Sequence, residues 1–315
     1  MAIHSADELI AQAVATAQQG KRPVVAVAAA QDGDVIEAVV EAHAEGFLDG
    51  ILVGDADRIK ALADEKQAAI DTLEVINVPD VSEAAHYAVK LASEKKADAV
   101  MKGFLPTSAL LKTVLDKRYN LRGKNTLSHC AVLDIPGYRK LLNVTDGGMV
   151  VKPDEEQKVQ VLDNAVMVAR ALGLSPMKVA VSGLVAATEQ YQSGKGKQVK
   201  EFVAKVRRLH DDCVIEGPMS LDAATSAEAA EKYGLTGEVP GDADIYLVDS
   251  IEEGNLVSKT LIQLAQAVFC GVIVGAKVPV SLVSRTDTAR NKKASLAIAC
   301  VIADYYRRHS LTEGE

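Results

Sequence analysis

Residues 24–59 read VVAVAAAQDGDVIEAVVEAHAEGFLDGILVGDADRI. Val24–Ala30 is an unbroken run of small and β-branched apolar residues, with no alternation to mark a solvated face. A run of that kind fits a strand buried on both sides, as in a parallel sheet covered by helices. Asp34–Ala44 then repeats its apolar residues at helical spacing, Gly50–Val53 is a second buried strand, and Ala56–Glu65 is a second helix. Strand alternating with helix predicts an α/β fold.

The same rhythm extends outward from this stretch. Glu74–Val78 reads as a strand, Ser82–Lys95 as a helix and Ala97–Met101 as a strand. In the second half, strands are expected at Lys140–Val144, Lys178–Val181, Ile245–Val248, Val272–Gly275 and Val278–Val283. Helices are expected at Asp154–Leu172, Gly196–Leu209 and Thr288–Arg308, and the polar stretch Glu189–Lys197 reads as an exposed loop. Ligands of such sheets sit beyond the carboxyl ends of the strands. Chemistry is therefore expected in the loops after Ala30, Val53, Met101, Leu142, Val181, Val248 and Val283.

With 315 residues the chain suits about two domains. It is 48% hydrophobic yet has no Trp and only 4% aromatics, so its core must be built from Ala, Val, Leu and Ile. Forty-three acidic against 35 basic residues leave a charge of −8, which argues against a general nucleic-acid binder. Cys130, Cys213, Cys270 and Cys300 are widely spaced, so neither a disulfide framework nor a zinc site is expected, and Cys270 and Cys300 read as buried small hydrophobes. Met1–Gln19 lacks the apolar centre of a signal peptide, and Thr260–Ala276, the longest charge-free stretch, is too short and too broken for a membrane span. A cytoplasmic location is the expectation.

Familiar phosphate and hydrolase motifs are absent: there is no Walker A loop, no strand-linked G-x-G-x-x-G, no H-E-x-x-H and no G-x-S-x-G. Gly194-Lys195-Gly196-Lys197 has no preceding strand. His43 and His86 fall inside helices, whereas His129 precedes an apolar strand and could reach a site. Three segments carry more. In Met101–Lys112 a strand ends, Gly103 permits an unusual turn, Thr107 or Ser108 opens a helix, and Lys112 follows one turn on. Hydroxyls and free N–H groups at a helix start make an anion site; the plainer alternative is an ordinary cap and a solvated lysine. In Val278–Arg290 a strand runs into Ser284 and Arg285 and then a helix, where a guanidinium can grip two phosphate oxygens or polarise a carbonyl. There the alternative is that Ser284, Asp287 and Thr288 merely cap the helix. In Asn143–Met149, Gly147 and Gly148 allow close backbone approach and Asp146 is a candidate base, though Asp-Gly-Gly is also a common loop.

Across these segments the chain resembles the phosphate acetyl/butyryltransferase family, and within it the butyryl type. The resembling text includes MKGFLPTSALLKTVL from Met101, LSHCAVLDIPGYRKLLNVTDGGM ending at Met149, GPMSLDAA from Gly217, GDADIYLVDSIEEGN from Gly241 and VGAKVPVSLVSRTDTA from Val274, so it spans nearly the whole chain. The resemblance implies an isocitrate/isopropylmalate dehydrogenase-like fold of two α/β domains with the site in the cleft between them. Residues 1–131 with 275–315 would form a discontinuous first domain and 132–274 an inserted second. It implies reversible acyl transfer between CoA and inorganic phosphate, with CoA as co-substrate, no metal, no bound cofactor, and a homodimer or larger homo-oligomer. By position, Ser284 and Arg285 would bind acyl phosphate and polarise the carbonyl, and Gly103, Thr107, Ser108 and Lys112 would hold phosphate. Acetyl-specific relatives place an acid several positions after the Ser-Arg pair; here Ala289-Arg290-Asn291 stands instead. Asp146 then becomes the candidate base for the CoA thiol, and Gly147, Arg290, Lys292, Lys293 and the Lys195–Arg208 helix become candidates for CoA.

Three alternatives share these residues: a phosphate acetyltransferase, a metal-dependent NAD(P) dehydrogenase of the same fold, and a non-catalytic CoA-binding relative. No ligand set for the dehydrogenase is legible. The charge distribution favours phosphate chemistry. Residues 101–125 carry six bases and one acid, and residues 285–293 four bases and one acid, so both phosphate candidates are cationic islands in an acidic chain.

Overall fold

The structure, a computed structural model, describes residues 2–185, 188–284 and 287–311. Along the chain run α1 (Ala6–Gln19), β1 (Val24–Ala28), α2 (Gly33–Ala44), β2 (Asp49–Gly54), α3 (Ala56–Lys66), β3 (Glu74–Asn77), α4 (Val81–Ser93), β4 (Ala99–Lys102) and α5 (Thr107–Val114). Next come β5 (Ser128–Asp134), β6 (Leu142–Thr145), α6 (Glu155–Ala171), β7 (Met177–Ser182), α7 (Glu189–Ser193), α8 (Lys195–Val206) and β8 (Cys213–Met219). The chain continues through α9 (Leu221–Thr225), α10 (Ala227–Lys232), β9 (Ile245–Leu247) and α11 (Ile251–Leu264) to β10 (Val268–Val274), β11 (Val280–Ser281) and α12 (Ala289–Arg308). The α/β class expected from the sequence is what the chain adopts.

Contacts divide the chain into two compact units, residues 6–124 with 268–315 and residues 1–5 with 125–267. Relative to the boundaries read from the sequence, the crossing points differ by about one strand, with β10 grouped in the discontinuous unit. That unit orders its strands β3-β2-β1-β4-β11-β10, all parallel except β10. The inserted unit orders them β5-β6-β9-β7-β8, with β5 antiparallel to β6.

Local chemistry explains the regular part. Asp32, Asp55 and Asp80 each stand just before a helix and accept N–H groups from Val35 (3.1 Å), Arg58 (3.1 Å) and Glu83 (2.9 Å). Each cap is worth ~1 kcal/mol and sets where the helix begins. Val25–Ala28 and Ala99–Lys102 are covered, and α12 is buried all round from Ala294 to Ala303, with Ala294, Ala297, Ala299 and Ala303 among the covered residues. Small side chains replace the missing aromatics in the core. Cys270 and Cys300 are buried within it, as read from the sequence.

Two expectations need correction. The strand expected over Val278–Val283 is only Val280–Ser281, because Pro279 has no N–H to contribute to a ladder; its carbonyl instead accepts Val100 N–H at 3.2 Å. Glu189–Lys197 is not a loop: Thr188 caps α7, and α8 begins at Lys195. Among the described residues, no helix is long and apolar enough to cross a membrane.

Candidate active site

In the discontinuous unit, Ala28 lies beside Lys102, and Ser281 lies beside Met101, in parallel register. The carboxyl ends of β1, β4 and β11 therefore finish at one edge. Both anion-binding segments proposed from the sequence leave from that edge, on directly hydrogen-bonded strands.

The first junction is stitched onto the end of β1. Gly103 and Phe104 donate their N–H groups to Ala28 O (2.9 Å) and Ala29 O (2.7 Å). A Cβ at residue 103 would stand 2.2 Å from Ala29 O and 2.7 Å from Ala28 O, so only glycine fits there. The buried Lys102 ammonium donates to the carbonyls of Gly103 (3.2 Å) and Leu105 (3.4 Å). α5 begins at Thr107, but the residue before it is Pro106 and no side chain caps the helix. Its first N–H groups and the Thr107 and Ser108 hydroxyls stay available, and the helix dipole adds partial positive charge. Lys112 is exposed, with no partner among the described residues.

The second junction is closed by Asp287, whose carboxylate accepts Ser284 N–H and whose own N–H reaches Ser284 O at 3.2 Å. Thr288 caps α12 through Asn291 N–H (3.2 Å), so the plainer reading holds for Thr288. Arg285 lies outside the described residues. Lys292, only 1% exposed, donates to Asp287 O (2.7 Å) and pairs with Asp34 (3.4 Å) on the first turn of α2. It thus braces Asp287 just ahead of α12. A hydrogen bond from Lys66, joined by Lys292, holds the Asp34 carboxyl below its ordinary value against the opposing effect of burial.

Not every candidate cation is available. Arg290 pairs with Asp7 (3.0 Å) at the surface, and Lys293 is tied to Glu45 (2.8 Å) and Glu41 (3.1 Å). Burial pulls the Lys293 ammonium down, but its two carboxylates outweigh this and raise it. Lys293 therefore joins α12 to α2 and does not reach out as a free CoA contact. On α8, Lys195 pairs with Asp249 (2.8 Å) and Lys205 with Glu155 (2.5 Å).

In the inserted unit, Asp146 follows β6 and is 4% exposed. One carboxylate oxygen accepts from Gly148 N (2.6 Å) and Met149 N (2.9 Å), the other from His129 N (3.2 Å) and Val150 N (3.2 Å). Burial raises its carboxyl, while these four backbone donors oppose the rise. With both oxygens so engaged, Asp146 organises the loop; this geometry does not present it as a base. Gly147 likewise packs against α11, where a Cβ would lie 2.6 Å from Gly254 C, in place of the ligand approach expected of it. His129 lies within β5, not before it, and burial lowers its imidazole to about 4.

A polar cluster that the motifs did not flag sits at the carboxyl ends of β7 and β9. Ser182 donates to Glu253, Tyr246 OH approaches Ser182 Oγ (3.4 Å) and Met219 O (3.3 Å), and Asp249 N–H donates to Glu253 (3.0 Å). Burial would raise Asp249, but Lys195 and Lys158 hold it at about 2. The strand-end rule had pointed to the loops after Val181 and Val248, and that was the one legible signal. As for metal ligands, His210, Asp212 and Cys213 place three ligand atoms within 4.8 Å of one another. Arg170 already takes both Asp212 oxygens (2.8 and 2.9 Å), and burial pushes the Cys213 thiol up to about 12.

Known proteins resemble this chain over most of its length. Residues 79–300 match the family described as Phosphate acetyl/butaryl transferase. A phosphate butyryltransferase of Clostridium acetobutylicum is 40% identical over 291 residues, covering 89% of this chain and 93% of its own. A phosphate acetyltransferase of Thermotoga maritima is 36% identical over 285 residues, covering 90% and 97%. The solved branched-chain phosphotransacylase of Enterococcus faecalis superposes with a TM-score of 0.78 at 30% identity, over 89% of this chain and 99% of that one. These matches favour acyl transfer over the dehydrogenase reading. A match over most of the chain, falling on the residues that build the β4 and β11 junctions, leaves one conclusion: the chain belongs to the phosphate acetyl/butyryltransferase family.

Proposed function

We propose that this phosphate acyltransferase prefers butyryl-CoA, transferring its acyl group to inorganic phosphate and releasing CoA, and that it runs the reaction in both directions. The observation that carries the site is the parallel register of β4 and β11, which supports a single anion-binding edge built from two distant segments. The preference for butyryl is supported by the relative from C. acetobutylicum, a named phosphate butyryltransferase at 40% identity.

In the forward direction a phosphate oxygen attacks the thioester carbonyl carbon. The tetrahedral oxyanion collapses, the C–S bond breaks, and the thiolate leaves and takes a proton. Phosphate is already anionic near neutral pH, so positioning outweighs deprotonation; holding both reactants in contact is worth up to ~7–11 kcal/mol. Thr107, Ser108, Lys112 and the open start of α5 hold phosphate. Ser284 and Arg285 bind the acyl phosphate and steady the oxyanion, where one donor is worth about 2.7–4 kcal/mol. Arg290, released from Asp7, is left as a cation for a CoA phosphate, and Asp146 and Lys292 position their loops.

The test is kcat/KM for acetyl-, propionyl- and butyryl-CoA. Each added CH₂ is worth ~0.8 kcal/mol in an apolar pocket, so two should give a gain of about 15-fold. Equal or better use of acetyl-CoA refutes the butyryl preference. Arg285→Ala should lower kcat by about 100-fold or more; near-normal turnover refutes its role.

A further inference from the structure

Thr260–Ala276 is the longest charge-free stretch of the chain, and its first residues, Thr260–Leu264, close α11. Only two residues of that helix are buried, and both are small: Gly254 and Ser258. Gly254 lies so close to the loop after β6 that a Cβ would stand 2.5 Å from Asp146 O. On the outer side Leu256 is 69% exposed and Leu264 81% exposed, while Val257 and Leu261 are half-buried. A surface helix ordinarily turns its apolar stripe toward the core. α11 does the reverse.

Single exposed leucines are ordinary on a protein surface, but these form a band. At 3.6 residues per turn, Leu256, Val257, Thr260, Leu261 and Leu264 fall within an arc of about 140°, with no charge among them. The band ends at a hollow of about 200 Å³, where Leu261 meets Leu221 and Thr225 of α9, Ile135 and Pro136 after β5, and Leu142 of β6. Tyr138 also lines it and is fixed there, its hydroxyl donating to Ala243 O (2.6 Å). One face of the inserted unit thus carries both protruding leucines and an apolar recess, the self-complementary surface that a twofold contact requires.

Charge sets the orientation. Glu252 and Lys259 stand nearly in line on the other flank of the band, seven residues apart, and neither makes an ion pair among the described residues. An antiparallel copy brings each Glu252 beside the Lys259 of the other chain. A parallel copy would lay both charges on the apolar band.

We propose that a second copy of this chain docks on this face, α11 antiparallel to α11, in a twofold dimer. The leucines of the two bands meet across the axis, each chain covers the recess of the other, and Glu252 pairs with Lys259 at the rim. The contact stands whatever acyl group the enzyme takes.

Sedimentation equilibrium of the full chain at micromolar concentration tests this. Wild type should have the mass of two chains, and Leu256→Glu combined with Leu264→Glu the mass of one. Leu209→Glu, at another exposed leucine of the same unit, should leave the dimer intact. Glu252→Lys and Lys259→Glu should each weaken association by about 10-fold or more, because like charges then face each other. An equimolar mixture of those two variants should regain wild-type affinity, because opposite charges meet again. A wild type of any other mass, a dimer unmoved by the leucine changes, or a mixture no tighter than its parts would overturn the proposal. If a melting curve shows the leucine variant unfolded, the two charge variants decide the matter, since each keeps the apolar band.

Discussion

Replacing Gly103 with alanine tests whether the phosphate junction depends on its tight seat against β1. A Cβ would meet Ala29 O at 2.2 Å and Ala29 C at 2.8 Å, both backbone atoms that cannot rotate away. Ordinary contact begins near 3.4 Å, so one segment must retreat by about 1 Å. That retreat strains the hydrogen bonds from Gly103 and Phe104 to β1, each worth ~0.5–1.5 kcal/mol net. Overpacking adds ~1–3 kcal/mol, for a total of about 2–6 kcal/mol. At roughly 2–4 °C per kcal/mol, Tm should fall by about 4–24 °C. The same retreat moves Thr107 and Ser108, and a misplacement of ~1 Å costs about 100-fold in rate. Steady-state assays should therefore show kcat/KM for phosphate falling by about 10–100-fold, with KM for acyl-CoA changing much less. Gly20→Ala is the control, because its Cβ would meet neighbours only at 3.7 Å. A Gly103→Ala protein with Tm within 2 °C and kcat/KM within threefold of wild type would refute the reasoning.

Four further outcomes are expected. Lys112→Ala removes a charge-assisted phosphate contact of ~1.5–3 kcal/mol, so KM for phosphate should rise about 10–100-fold while KM for acyl-CoA holds. Asp146→Asn offers a single acceptor oxygen to four backbone donors; Tm should fall while the pH–rate profile keeps its shape, and a lost pH limb would restore the general-base role. Lys293→Ala should cost about 1 kcal/mol in a urea titration and leave KM for CoA within twofold. Asp249 is held at about 2, below its unfolded value, so its contribution is complete above about pH 4 and is lost as pH falls through 2. The urea-midpoint gap between wild type and Asp249→Asn should therefore be constant from pH 7 to 5 and close toward pH 2.

The early strand–helix alternation is legible because its punctuation is local: an aspartate before each helix and an unbroken apolar run in each strand. β8 escapes such reading. Its sequence, CVIEGPM, contains Gly217 and Pro218 and is only partly covered, so it has neither the run nor the alternation of an ordinary strand. The two proposed phosphate junctions are visible in the text because strand, hydroxyl, base and helix lie within a dozen residues. Which cations remain available is not visible. Arg290 meets Asp7, 283 residues away, and Lys293 meets Glu45, 248 residues away. Composition counts every lysine alike, and only the fold decides which are occupied. The same holds for Asp146, whose four backbone donors come from two separate segments.

The pairing of β4 with β11 also bears on how the enzyme is made. A ribosome releases β4 and the α5 start long before residues 268–311, so β4 first emerges with one edge unpaired although all four of its residues end up buried. Until β11 docks there, that edge is open to wrong partners, and Ser284, three residues beyond the Ser281 that lies beside Met101, has no strand to place it. Synthesis of the last segment thus both shields the sheet and brings in the second half of the proposed substrate site, so a nascent chain stopped short of β11 has neither a protected edge nor both halves of that site.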